Sequence, residues 1–120
     1  MSEAYPSAFA LMKKYDITPK KSFGQNFLIS ERVFRSIVDA TVNEIDDVIV
    51  EFGAGVGTLT ARLSERASEG LVVAVERERD MIKILKGELE QYDSIDIHEA
   101  DALQFNVSGI AQWQGRPVAV

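Results

Sequence analysis

The chain has 120 residues, 46% of them hydrophobic and 27% charged, with a formal net charge of −6. These are the proportions of one ordinary globular domain rather than of a repeat array or a disordered tail. The absence of cysteine and the single histidine, His98, exclude a disulfide framework, a thiolate or histidine metal cluster and a cysteine nucleophile, and argue against a Ser-His-Asp triad.

The charge is unevenly placed. Residues 1–35 carry Lys13, Lys14, Lys20, Lys21, Arg32 and Arg35 against three acids, whereas residues 36–120 carry seven basic groups against sixteen acids. A basic arm on an acidic body is the expected layout, with residues 1–29 as the arm and 30–120 as the main unit. No run approaches the roughly 20 apolar residues of a membrane span. Residues 1–10 lack the basic start and apolar block of a secretory signal. A cytoplasmic protein without membrane contact is expected.

In chain order, Ser7 to Tyr15 reads as a short helix ending before Thr18-Pro19. An irregular stretch through Gly24 follows. Ser30 is placed to cap a second helix, with Val33, Phe34, Ile37, Val38 and Thr41 at helical spacing. Asp47-Val-Ile-Val-Glu-Phe52 reads as a buried parallel strand running straight into glycines. Leu59, Leu63 and Ala67 recur every four residues, predicting a helix over 58–67 stopped by Gly70. Leu71-Val-Val-Ala-Val75 is a second buried strand, and Met81, Ile82, Leu85 and Leu89 mark the helix after it. Ser94 to His98 alternates with period two, as a more exposed strand does. A weak helical turn at 107–113 and a strand beginning at Pro117 complete the pattern. Alternating strands and helices predict an α/β fold with an open parallel sheet flanked by helices. Three and a half strands are few for such a sheet, so the chain reads as the first part of a larger domain.

Glu51-Phe-Gly-Ala-Gly-Val-Gly57 places three glycines in five residues where the first strand meets its helix. There the backbone must turn tightly, take positive φ and approach a ligand closely. A dinucleotide fingerprint, Gly-x-Gly-x-x-Gly, would need glycine at Thr58. The spacing suits S-adenosylmethionine, which has no pyrophosphate, better than NAD. Glu76 ends the second strand 23 residues after Gly53, close to the ~20 expected of an acid that accepts from ribose hydroxyls. Asp101 follows the third strand, where a carboxylate can either accept from an adenine amine or close a turn. His98 reads as a half-exposed strand residue.

Lys21-Ser-Phe-Gly-Gln-Asn-Phe-Leu28, the glycine segment 51–60, Val75-Glu76 and Glu99-Ala-Asp-Ala102 occur in the order and spacing of the ribosomal RNA adenine dimethyltransferases, which the chain resembles from about Tyr15 onward. That resemblance implies a Rossmann-like class I methyltransferase fold and methyl transfer from S-adenosylmethionine to adenines near the 3′ end of small-subunit rRNA. It implies that Asn26 and Leu28 line the cofactor pocket and that Gln25 supports the methionine end. It further implies that Gly53 and Gly55 form the floor, Glu76 holds the ribose and Asp101 holds the adenine amine. The rRNA is the implied partner, contacted in part by the basic arm. The family's Asn-Leu-Pro-Tyr segment, which positions the target amine, does not occur in these residues. No catalytic residue is therefore expected in this chain, and self-association through an incomplete sheet edge is. The macrolide-resistance rRNA methyltransferases share a Gln-Asn-Phe-Leu-like element and stand as an alternative. An NAD-binding oxidoreductase fragment and a non-catalytic cofactor- or RNA-binding module are two others.

Overall fold

The computed structural model describes residues 5–18 and 30–110. The expected strand from Pro117, the last part of the turn at 107–113 and the Gln25, Asn26 and Leu28 segment lie outside the described residues.

Three strands form one parallel sheet: β1 (Val48–Phe52), β2 (Leu71–Glu76) and β3 (Ile95–Glu99), in the spatial order β1-β2-β3. Val48 pairs with Leu71 and Phe52 with Val75, while Val72 pairs with Ile95 and Glu76 with Glu99. The central strand is paired on both sides, and Val72 to Val75 are all buried, which is why it is written as an unbroken apolar run. Asp96 on β3 is exposed where Ile95 is buried, the alternation expected of a less enclosed strand.

Among the described residues four α-helices accompany the sheet: α1 (Ala8–Lys14), α2 (Glu31–Thr41), α3 (Thr58–Arg66) and α4 (Arg79–Leu89). Ser7 and Ser30 cap α1 and α2, their hydroxyls accepting from the amides of Ala10 and Val33. Val38 and Val42 pack with Ile49, Val72, Leu63 and Ala67, and Ile82, Leu85 and Leu89 pack with Ala61, Ala74 and Ile95. Ile49, Val72, Ala74 and Ile95 share one sheet face by register, so α2, α3 and α4 cover that face together. Burial of each such valine, leucine or isoleucine side chain contributes roughly 1.5–3 kcal/mol. Arg62 of α3 lies over the Phe34 ring and pairs with Glu31, and Arg66 reaches Asp39 at 2.9 Å, so α3 is tied to α2. On the opposite sheet face, Phe105 packs edge-on against Phe52 and His98.

Two local expectations are corrected. Val33 is not on the buried face of α2; it is exposed, and Phe34, Val38 and Thr41 carry the packing. Gly70 does not stop α3, which ends at Arg66 with Ala67 as its C-cap. Glycine is required at 70 because a Cβ there would stand 2.0 Å from the Asp47 carbonyl oxygen.

The first helix docks on the fourth. Ala8, Leu11 and Met12 pack with Met81, Ile84 and Val56, and the Tyr15 hydroxyl and Lys14 ammonium both donate to Glu88 Oε2 at 2.7 Å.

Candidate cofactor-binding site

The glycine segment bends where β1 gives way to α3. Gly53, Gly55 and Gly57 have φ of 74°, 61° and 92°, a region that side chains with a Cβ rarely adopt. At Gly53 and Gly55 a Cβ would meet nothing within 4 Å among the described residues. Packing does not demand these two glycines; the backbone path does, and it leaves an open concavity beside them.

The carboxylates of the two neighbouring strands border that concavity. A cavity of about 260 Å³ is lined by Gly53, Val75, Glu76, Arg77, Ala100, Asp101 and Ala102. The Gly53 and Ala54 amides donate to the Val75 carbonyl, and the Ala100 amide to the Glu76 carbonyl, so the turns after all three strands are stitched together. Glu76 is 8% exposed. Its Oε1 accepts the Gly55 amide at 2.8 Å, and its Oε2 accepts the amides of Arg77 and Glu78 at 3.0 and 2.9 Å. A carboxylate offers about four acceptor sites. Three are taken by backbone, and among the described residues Oε1 keeps one open to a further donor.

Asp101 closes a turn, one of its two sequence readings, and it also reaches the cavity. Its Oδ1 accepts the Leu103 amide at 2.9 Å. Its other oxygen has no partner among the described residues. Two acceptor-only groups facing one cavity beside an open glycine backbone fit an adenosine, whose ribose hydroxyls and exocyclic amine are all donors. The cavity lies just below the common range of roughly 300–1,000 Å³ for ligand pockets. His98 is structural here, bonded to Asp96 at 2.9 Å and packed against Phe105. No group of His, Cys, Asp and Glu side chains able to hold a metal is found among the described residues.

One functional group was not singled out in the sequence. Glu51, the last buried residue of β1, accepts the Thr60 hydroxyl at 2.5 Å. It thus links the strand before the glycine turn to the helix after it. Burial, opposed by the Thr60 hydrogen bond and reinforced by the charge of Glu76, pushes its carboxyl from 4.5 up to about 7. In the unfolded chain the group ionises near 4.5, so between pH 4.5 and 7 the folded state holds a proton that the unfolded state has released. This contribution makes stability fall as pH rises through that window, by about 3 kcal/mol, and level off above it. Glu51→Gln keeps an acceptor for Thr60 and removes the titration. Denaturant melts from pH 4.5 to 8 should therefore show a smaller decline in the variant than in the parent. Parallel curves would mean that Glu51 is ionised in the fold.

In sequence and fold the chain is similar to known proteins. A family model for ribosomal RNA adenine dimethylase matches residues 17–114. The chain belongs to the ribosomal RNA adenine dimethylase family. Members similar to it include a ribosomal RNA small subunit methyltransferase A from Anaeromyxobacter dehalogenans, 45% identical over 119 residues, which cover 99% of this chain and 40% of that protein. Another, of the same name, from Alkaliphilus metalliredigens is 37% identical over 113 residues, 92% of this chain and 39% of that one. The chain thus spans about 40% of the length of these curated relatives. Among solved structures, a 23S rRNA methyltransferase, ErmE, superposes with a TM-score of 0.59 at 29% identity, covering 67% of this chain and 32% of that one. A dimethyladenosine transferase from Plasmodium falciparum does so with 0.56 at 25% identity, covering 64% and 28%. A precorrin-6y methyltransferase from Geobacter metallireducens shares the fold at 18% identity and 0.59, covering 74% of this chain and 46% of that one. The Rossmann-like methyltransferase fold expected for a dimethylase is therefore the one observed, its parallel β1-β2-β3 sheet included.

Proposed function

We propose that these residues form the cofactor-holding part of an S-adenosylmethionine-dependent rRNA adenine dimethyltransferase acting on small-subunit rRNA in ribosome biogenesis. The observation that carries this reading is the joint placement of Glu76 and Asp101 on one cavity, with Glu76 bonded to the Gly55 amide, in a chain of this family. S-adenosylmethionine supplies a methyl group on a sulfonium, which needs no activation by the protein. Glu76 accepts from the ribose, Asp101 accepts from the adenine amine, and Gly53 and Gly55 let the backbone lie against the ligand. Gln25, Asn26 and Leu28 complete the pocket from the arm, and the exposed Lys13 and Lys14 of α1, with Lys20 and Lys21, meet rRNA phosphates. The groups that orient the target amine belong to the Asn-Leu-Pro-Tyr motif, which this sequence does not contain. Activity is accordingly proposed for the whole protein, in the cytoplasm where ribosomes are built. No described helix is long and apolar enough to cross a membrane.

Titration of the chain with S-adenosylhomocysteine and with NAD in parallel tests the cofactor. Saturable binding of the first alone is expected, and preferential NAD binding would replace this reading with the oxidoreductase one. The likeness to a 23S rRNA methyltransferase gives a second reading, methylation of large-subunit RNA. Radiolabelled methyl transfer by the whole protein should label immature small subunits. Label confined to large-subunit RNA would favour the second reading.

A further inference from the structure

The turn that holds the cofactor is itself held from outside the sheet. Its closing bond runs from the Gly57 amide to the Ala54 carbonyl at 3.1 Å, and the Ala54 amide in turn donates to Val75. The other end of the Val56–Gly57 peptide, the Val56 carbonyl, accepts the Tyr5 hydroxyl at 2.8 Å, from a residue 51 positions away. Both polar ends of one peptide plane are therefore fixed, one by the turn and one by the N-terminal segment. Glycine at 57 makes this plane easy to rotate in the absence of such bonds. Tyr5 also packs against both the cluster beneath α4 and the cluster joining α1 to Met81 and Ile84. The fit is close: a Cβ on Gly57 would lie 2.9 Å from the Tyr5 oxygen.

We propose that Tyr5 is a positioning residue for the cofactor turn, setting the Val56–Gly57 peptide plane and through Ala54 the path of Gly53 to Gly55. This rests on the assignment of the turn to S-adenosylmethionine. Burial, with the nearby Glu88 carboxylate, pushes the Tyr5 phenol above its usual range, so the hydroxyl stays a donor at all physiological pH values. Tyr15 provides an internal comparison. It lies on the same docked segment and its hydroxyl also makes a hydrogen bond, but to Glu88 and not to the turn.

The test compares Tyr5→Phe, Tyr15→Phe and Glu76→Gln by calorimetric titration of the full chain with S-adenosylhomocysteine, at a temperature where circular dichroism shows each variant folded. Tyr5→Phe should weaken binding about five- to tenfold, the worth of one hydrogen bond, while Tyr15→Phe should leave affinity within about twofold of the parent. Amide hydrogen exchange over residues 53–58 should quicken in Tyr5→Phe alone. Equal losses of affinity in the two tyrosine variants would reduce Tyr5 to a contributor to general stability and overturn the proposal. Parent-like binding by Tyr5→Phe beside a large loss in Glu76→Gln would overturn it while leaving the cofactor assignment standing. Parent-like binding by all three would remove that assignment as well.

Discussion

Replacing Glu76 by alanine is expected to weaken S-adenosylhomocysteine binding by about 1–3 kcal/mol, roughly 5- to 150-fold, because the ribose donors lose a charged acceptor. The structure gives the substitution a second consequence. The same carboxylate anchors the Gly55, Arg77 and Glu78 amides, so alanine also frees the backbone of the turn and of the link into α4. Glu76→Gln separates the effects. An amide has one acceptor oxygen, and its NH₂ group would oppose one set of backbone amides, so glutamine keeps bulk while losing part of the anchoring. Calorimetry should rank affinity as parent, then Gln, then Ala. An unchanged dissociation constant in Glu76→Ala would remove the residue from the site.

Gly70→Ala is expected to cost stability without touching the cavity, by about 1–3 kcal/mol or more. The obstruction is the Asp47 carbonyl oxygen, 2.0 Å from the required Cβ, with the Asp46 and Asp47 carbonyl carbons within 2.9 Å. These are backbone atoms and cannot swing aside as a side chain would. The clash also falls where the chain enters β2, since the Leu71 amide donates to that same Asp47 oxygen and the Glu69 amide to Ile45. Relief requires the start of β2 to move away from β1, which lengthens the first rungs of the ladder. A lowered urea midpoint with an unchanged m-value is the expected result. A midpoint equal to the parent's would show that residues 45–47 yield at little cost.

The sequence made the elements legible where one physical constraint acted alone. A doubly paired strand needs apolar residues on both faces, and Leu71 to Val75 supplies them. A capped helix needs a short acceptor at its start, and Ser30 provides it. Reading failed where two constraints overlapped. Gly70 follows a helix and so looks like its stop, but its missing side chain answers to a carbonyl in a segment more than twenty residues earlier. Val33 fits the helical period and yet points to solvent, since the covered arc of α2 is narrower than the pattern suggests. In the candidate site, Gly53, Gly55, Glu76 and Asp101 were legible because strand ends and glycine spacing fix their places. The Glu51–Thr60 bond crosses from strand to helix over nine residues and follows no period, although an acid within an apolar strand was a signal that could have found it. Nothing local in the sequence joins Tyr5 to Val56.

The order of the sheet has a consequence for how the molecule assembles. Val48 pairs with Leu71 and Val72 with Ile95, so each strand meets its successor after 23 residues, and no described strand waits for a distant one. Loop closure of that length has a modest entropic cost that is the same for both crossovers, and each intervening segment already contains a helix. Parallel sheets fold slowly when their partners are remote in sequence. Here the ladder can grow from β1 one strand at a time, each strand pairing with the one that immediately precedes it in sequence.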